Sequence, residues 1–572
     1  MRHALAALLI ASPVAAQEAV QPELTYRVGE ARTAEAQTYM VVAAHPLAAE
    51  AGRSVLAEGG TAADAAVAVQ LMLNVVEPQS SGLGGGAFAL YWDASEGRLT
   101  TYDARETAPA AADETYWLGD DGEPIGWRDA VPGGKSVGVP GTPMLLERLM
   151  KDHGRMTRPR VARAAINAAE KGFTVSPRMA ASIATGAERG LLAFPGTKAA
   201  YFDGEGAPLA EGATFQSAEL AATLRTFAAK GAAPFYTGDL AAEIVATITD
   251  APVNAGVMTA EDLSGYEVKI RPPVCHDYRG YQVCGMGPPS SGALTVGQIL
   301  GMLSSFDMAA LGNTPAAWRR YVEASRLAYA DRGLYMADSD FVKMPEGLLD
   351  PSYLADRARL ISPDAAGEAK PGEPPWKEGA LRSPDTEAER PGTTHFVIRD
   401  RYGDVISMTS TIETGWGSRL MANGYLLNNE LTDFSRAPEK DGKPIANRVE
   451  GGKRPRSSMA PTIVFRDGEP VIAVGSPGGS RIIGYVATTL IALIDWGMSP
   501  EEAVSMGHVT ASGGRADLEE GTAAADLAAD IEGFGLEARV RNLNSGLSLM
   551  LIGADGLKGA ADPRREGAAM GE

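Results

Sequence analysis

The sequence predicts an α/β protein, on three observations. Helical apolar spacing recurs through the first two thirds of the chain, short strand-like runs punctuate it, and from Thr393 onward strand patterns dominate. The chain is 45% apolar, ample for a large core, and its 66 glycines with only 6% aromatics suit many tight backbone approaches. A net charge of −20 argues against nucleic acid or an anionic membrane as partner. Beyond the first residues the histidines are His45, His153, His276, His395 and His508, with no two at metal-ligand spacing, so neither a metal nor a cofactor is expected.

The chain opens with a targeting signal. Met1-Arg2-His3 is a short basic region, Ala4–Ala11 an apolar core, and "SPVAA" places small residues at Val14 and Ala16. Residues 1–16 therefore read as a secretory leader cut after Ala16, which predicts a periplasmic or secreted protein. The strongest later apolar stretch, 482–496, is too short to span a membrane and reads as a buried helix.

The elements follow in order. "HPLAAEAGRSVLAEGG" and "TAADAAVAVQLMLNVV" are helical, the second opening on a capping-box pattern, Thr61-x-x-Asp64. "AFALYWD" and "RLTTYDA" are strands, and helical patterns occupy 141–247, 293–303 and 315–331. "VCHDYRGYQVC" alternates like a hairpin around Arg279-Gly280, which sets Cys275 opposite Cys284 at a non-hydrogen-bonded position. Such pairs lie within disulfide reach, and in an exported chain a disulfide is expected; two buried thiols are the other reading. Residues 355–392 are polar and proline-rich and read as an exposed, mobile linker. Strands then follow in "THFVIRD", "VISMTSTI", "GYLLNN", "TIVFRDG" and "PVIAVGS".

One junction invites chemistry. "EAERPGTTHFVIRD" passes from linker to strand at Gly392-Thr393. Cutting there would give Thr393 a free α-amine that titrates near 8 and could take the proton of its own hydroxyl, with no histidine required. A plain strand start after a linker is the other reading. "SSGLGGGAF" (80–88) has the glycines of a dinucleotide loop, but a strand follows rather than a helix, so it reads as a tight turn. His395 reads as a packed strand residue.

From "TTHF" (393–396), "TSTIETGWGSR" (409–419), "LLNNELTDFS" (426–435), "PRSSMAPTIV" (455–464), "GSPGGSRII" (475–483) and "GAADPR" (559–564), the chain resembles the γ-glutamyltransferases, a family of N-terminal-nucleophile hydrolases. The first part agrees through "SSGLGGGAF", "DARETAP" (103–109), "DYRGYQV" (277–283), "PPSSGA" (288–293) and "YADRGLYMADSDFV" (329–342), so the resemblance runs from about residue 35 to the end.

The resemblance implies a four-layer α-β-β-α sandwich and a precursor that cuts itself between Gly392 and Thr393. The products would be a large subunit, 17–392, and a small catalytic subunit, 393–572, forming one globular domain. It implies Thr393 as nucleophile, Thr411 as its orienting partner, and the amides of Gly478 and Gly479 as oxyanion donors at the start of a helix at 480–495. Arg105, Ser457 and Ser458 would take the substrate α-carboxylate, and Glu430 and Asp433 its α-ammonium.

Glu413 stands where many bacterial members carry asparagine, "LTDF" replaces the commoner "MDDF", and the lid position, 436–452, is short and lacks an aromatic gate. Glu413 belongs with the substrate-binding set by position. It either turns to the ammonium or pairs with Arg419; the pairing is expected, because three carboxylates around one ammonium repel one another. The implied activity is cleavage of glutathione-like γ-glutamyl amides through an ester on Thr393, with transfer to water, amino acids or peptides. The alternatives are a cephalosporin (glutaryl) acylase of the same fold and an unprocessed periplasmic binding protein.

Overall fold

The computed structural model describes residues 30–362, 364–376, 381–385 and 392–572; the leader expected at 1–16 lies outside them. Two antiparallel seven-stranded sheets organise the chain. The first runs Ala568–Gly571, Met40–Ala43, Thr393–Arg399, Val405–Thr411, Gly86–Asp93, Arg98–Ala104, Lys269–Arg271. The second runs Arg32–Ala36, Gly556–Ala561, Ser548–Gly553, Glu469–Gly475, Thr462–Arg466, Tyr281–Gly285, Val274–Tyr278.

Strand alternation gives the first sheet two apolar faces. Val41, Ala43, Ala87, Ala89, Tyr91, Phe396 and Ile398 pack with the helices Pro46–Ala57, Ala62–Val76 and Arg158–Lys171. Met40, Val42, Phe88, Leu90, Trp92 and Val397 belong instead to the core shared with the second sheet. That core continues into the helices Gly292–Leu303, Pro315–Tyr335 and Ile482–Ile494 on the far side. The result is the helix–sheet–sheet–helix sandwich the resemblance implies.

Several local expectations hold. Thr61 caps Ala62–Val76, with the reciprocal Asp64 bond in place. The Arg279-Gly280 turn has positive φ at both residues, 54° and 80°, as a two-residue hairpin needs. Cys275 pairs with Cys284 in register, their Cα atoms 4.1 Å apart, and the disulfide is formed.

Three expectations change. "GYLLNN" shrinks to a strand of two residues, Tyr425–Leu426. The reason is Asn428, whose amide donates to the Gly84 and Gly138 carbonyls and so replaces a strand ladder. The linker is not simply exposed. Gly372 N donates to Asp331, Trp376 packs edge-on against Tyr335, and buried Asp385 pairs with Arg456 at 2.9 Å. The helix expected from 480 begins as a tight turn over Gly479–Arg481 and becomes α-helical at Ile482–Ile494.

Candidate active site

The site forms where strand ends from both sheets meet. Thr393 begins its strand and Thr411 ends the neighbouring one, and the register places them directly opposite. Thr393, His395 and Val397 alternate onto the face that looks toward the second sheet. Thr411 Oγ1 lies 3.2 Å from Thr393 Oγ1, donates to the Gly392 carbonyl at 2.9 Å and accepts from Glu413 N at 2.8 Å. A hydroxyl has one proton. With that proton on the Gly392 oxygen, the Thr393 hydroxyl is the donor of the pair. The Thr411 hydroxyl is thus hydrogen-bonded both to the Thr393 hydroxyl and to the carbonyl before it.

Gly392 could be no other residue without movement. A Cβ there would fall 2.2 Å from the Glu413 carbonyl oxygen. The loop it presses on is itself strained, with positive φ at Glu413 (77°), Trp416 (75°) and Arg419 (68°). The glycines of "SSGLGGGAF" serve the same crowding: a Cβ on Gly85 would sit 1.9 Å from the Thr411 carbonyl oxygen. The turn supports the site and holds no nucleotide motif.

From the second sheet, the strand Glu469–Gly475 leads into Gly478 and Gly479, whose φ values are 143° and 60°. These left-handed-side conformations favour glycine, and they leave amides at the start of Ile482–Ile494 outside any helical ladder.

A narrow cavity is lined by Arg105, Thr393, Thr411, Glu413, Glu430, Asp433, Ser457 and Gly479, together with Met459 and Ile482. Gly478 stands beside the lining. Ser458 does not face it; its Oγ accepts from Arg332 Nη2 at 2.8 Å. Ser457 Oγ accepts from Met459 N, which leaves its hydroxyl proton able to point at a ligand.

Arg105, 1% exposed, holds the polar end together. It pairs with Glu430 and with Asp433 (2.6 Å) and donates to the Pro455 and Arg456 carbonyls. The residues expected to hold an α-carboxylate and an α-ammonium are thus one cluster, with cation and anions already opposed.

The expected Glu413–Arg419 pair does not form. Glu413 is buried and faces Asp433 and Glu430, with Asn429 Nδ2 donating to it at 3.2 Å. Burial, then the Asp433 and Glu430 charges, push its carboxyl well above the usual range. Arg419 meets another arginine instead: burial and the Arg189 charge push its guanidinium down to about 10. The positive-φ kinks between residues 413 and 419 turn the two side chains to different places.

Burial also raises Glu430 well above its ordinary value, with Arg105 opposing. These carboxyls titrate as a set.

Sequence reasoning passed over Glu106. It is fully buried, 3.9 Å from Arg105, and raised to about 7 by burial, against the pull of Arg105. Its adjacency to Arg105 in "DARETAP" was the available signal. His395 is a core residue: its ring packs where Gly475 has no Cβ, its Nδ1 meets Thr409 Oγ1 at 2.8 Å, and burial lowers it to about 3.

Residues 48–572 match the family model of gamma-glutamyltranspeptidase. The chain is 37% identical over 547 residues to the glutathione hydrolase proenzyme of Bacillus subtilis (strain 168), covering 93% of this chain and 91% of that one. It is 35% identical over 585 residues to the glutathione hydrolase proenzyme of Escherichia coli (strain K12), covering 98% and 97%. Among solved structures, a cephalosporin acylase from Bacillus halodurans superposes with a TM-score of 0.82 at 24% identity, covering 99% of each chain, a likeness of fold. The chain belongs to the gamma-glutamyltranspeptidase family, and its sandwich is that of the N-terminal-nucleophile hydrolases.

Proposed function

We infer that this chain is the proenzyme of a γ-glutamyl hydrolase/transferase, and that it becomes active by cutting itself between Gly392 and Thr393. The observation that carries the reading is the hydroxyl pair Thr393–Thr411, set in one cavity with the Arg105–Glu430–Asp433 cluster. In processing, Thr393 Oγ attacks the Gly392 carbonyl carbon, whose oxygen already accepts from Thr411. Collapse of the adduct breaks the Gly392–Thr393 C–N bond and frees the Thr393 amine, and water then hydrolyses the resulting ester to release the Gly392 carboxylate and restore the hydroxyl.

In turnover, Thr393 Oγ attacks the γ-carbonyl of the donor while its proton passes to the α-amine. The Gly478 and Gly479 amides face the developing oxyanion, and the departing amine takes the proton. Water or the amine of an acceptor then resolves the γ-glutamyl ester. The α-carboxylate of the donor competes for Arg105 and the Ser457 hydroxyl, and its ammonium for Glu430, Asp433 and Glu413. A zwitterion exchanges one charge-paired arrangement for another, so the buried charges stay matched.

Glutathione and other γ-glutamyl compounds fit as donors, amino acids, peptides or water as acceptors. The small-residue leader and the disulfide support an exported protein, periplasmic or secreted. The subunits would be 17–392 and 393–572, in the numbering of the precursor.

The deciding experiment compares a γ-glutamyl anilide with a glutaryl anilide, which lacks the ammonium. Hydrolysis of the first with little of the second supports the reading. Preference for glutaryl would make the protein an acylase, and a single unprocessed chain inert to both would leave a binding protein.

A further inference from the structure

A second cavity, of about 450 Å³, is built wholly from residues before the Gly392–Thr393 junction and shares no lining residue with the one around Thr393. Its size falls within the roughly 300–1,000 Å³ of small-molecule sites. The inner surface is apolar. Val274, Pro288, Leu294 and Leu348 form one part of it, Met344 and Trp376 another. Leu294 stands in the first turn of Gly292–Leu303, where only it and Gly301 are not buried. Met344 and Trp376 are half-buried as well. Three large apolar side chains thus stay part-open to water at one place, a cost that an apolar ligand would remove.

The Trp376 wall is preformed. Gly347 N donates to the Pro375 carbonyl at 3.1 Å, and a Cβ on Gly347 would come 2.5 Å from Pro375 Cδ, so glycine lets the segment lie close. Trp376 meets Tyr335 edge-on at 5.9 Å between ring centres. Arg382 lies 5.5 Å from the Trp376 ring and donates to the Lys343 carbonyl at 2.8 Å. A wall already in place spares a ligand the entropy of ordering it.

The charged part of the lining is exposed. It carries one cation and one anion, Lys343 and Glu346, three residues apart. A zwitterion with a bulky apolar substituent matches this layout, its carboxylate toward Lys343, its ammonium toward Glu346 and its side chain inward. The cavity also adjoins the segment that holds Ser457. Pro288 lines it, the Pro289 carbonyl accepts from Ser457 N at 3.0 Å, and Ser291 N donates to the Ser457 carbonyl at 2.8 Å.

We propose that this cavity is a binding site for a free α-amino acid with a bulky apolar side chain, such as leucine or phenylalanine. The assignment rests on the apolar lining and the paired charges beside it, and it holds whatever reaction Thr393 performs.

The test is calorimetric titration of the wild-type protein with phenylalanine and leucine, with no γ-glutamyl donor present. Saturable binding tighter than about 1 mM is expected. Aspartate should bind at least about tenfold more weakly, having no apolar side chain to bury. Phenylpropanoate and phenethylamine, which each lack one charge of the zwitterion, should bind about threefold more weakly than phenylalanine. Trp376→Ala should weaken phenylalanine about tenfold and Glu346→Lys about threefold. Glu346 is exposed, so its replacement leaves the fold intact and decides the matter if Trp376→Ala does not fold. Binding that both variants keep, or that Arg105→Ala abolishes, would put the ligand elsewhere and overturn the proposal. Absence of binding in wild type would overturn it too. Should binding then appear in Leu381→Ser, the occupant is the chain's own Leu381, which is 79% exposed and adjoins Arg382.

Discussion

The Thr411 hydroxyl donates to the carbonyl oxygen of Gly392 at 2.9 Å, across the strand pair from the hydroxyl that would attack that carbonyl. If the chain cuts itself here as proposed, the polarising contact is already in place before the cut. On a denaturing gel, wild type should yield a fragment spanning 393–572 whose N-terminal sequencing begins Thr-Thr-His. Thr393→Ala should remain one chain, and Thr411→Val should process at least tenfold more slowly, the loss of about 1.4 kcal/mol of barrier lowering. A fragment beginning at Thr394 would refute the assignment.

Arg105→Ala should raise KM for γ-glutamyl donors by roughly one to three powers of ten, since truncating a desolvated charge pair costs about 2–5 kcal/mol. It should also lower the melting temperature, because Glu430 and Asp433 lose the cation they share. An unchanged KM in steady-state kinetics would remove Arg105 from the substrate site.

Glu413→Gln has a sign that pH fixes. A carboxyl raised in the fold favours folding fully below its unfolded value, near 4.3, and that contribution is lost as pH climbs toward the folded value. Glutamine removes the liability. The variant should melt higher than wild type at neutral and alkaline pH, with a shallower decline in stability above about pH 5. Its processing should be normal, and donor KM should rise more than tenfold, about 1.4 kcal/mol, because glutamine, unlike this raised carboxyl, cannot ionise when the ammonium arrives.

Unreduced mass spectrometry should find Cys275 linked to Cys284, lighter by the two thiol hydrogens. The closed loop is short, a separation of 9 residues, so Cys275→Ser with Cys284→Ser should cost only about 2–3 kcal/mol in denaturant unfolding. Free alkylation of both cysteines in native protein would contradict the bond.

What the sequence disclosed was mostly local. The cap at Thr61 and the Cys275–Cys284 register could be read because each depends on neighbours a few residues away. That Arg105, Thr393 and Glu430 share one pocket could be expected only through family resemblance, since nothing in their spacing brings them together. The buried Arg565–Glu77 pair stayed hidden because its contact spans 488 residues of chain. Arg419 misled for the opposite reason: closeness in sequence counts for little in a loop whose backbone reverses at Glu413, Trp416 and Arg419. The linker misled because composition reports solubility, while Asp385 is buried by a specific partner, Arg456.

Strands from either side of the Gly392–Thr393 bond are interleaved: Thr393–Arg399 lies between Met40–Ala43 and Val405–Thr411, and Gly86–Asp93 borders the latter. A cut here turns a unimolecular folding problem into a bimolecular one after the fact. The mature protein would be a heterodimer whose interface is the inside of two sheets, so separation of the pieces and loss of the fold become the same event. Its apparent stability should then depend on protein concentration, whereas that of the uncut Thr393→Ala chain should not. The two pieces made separately would have no reason to find one another, and denatured mature enzyme should recover poorly where denatured precursor recovers well.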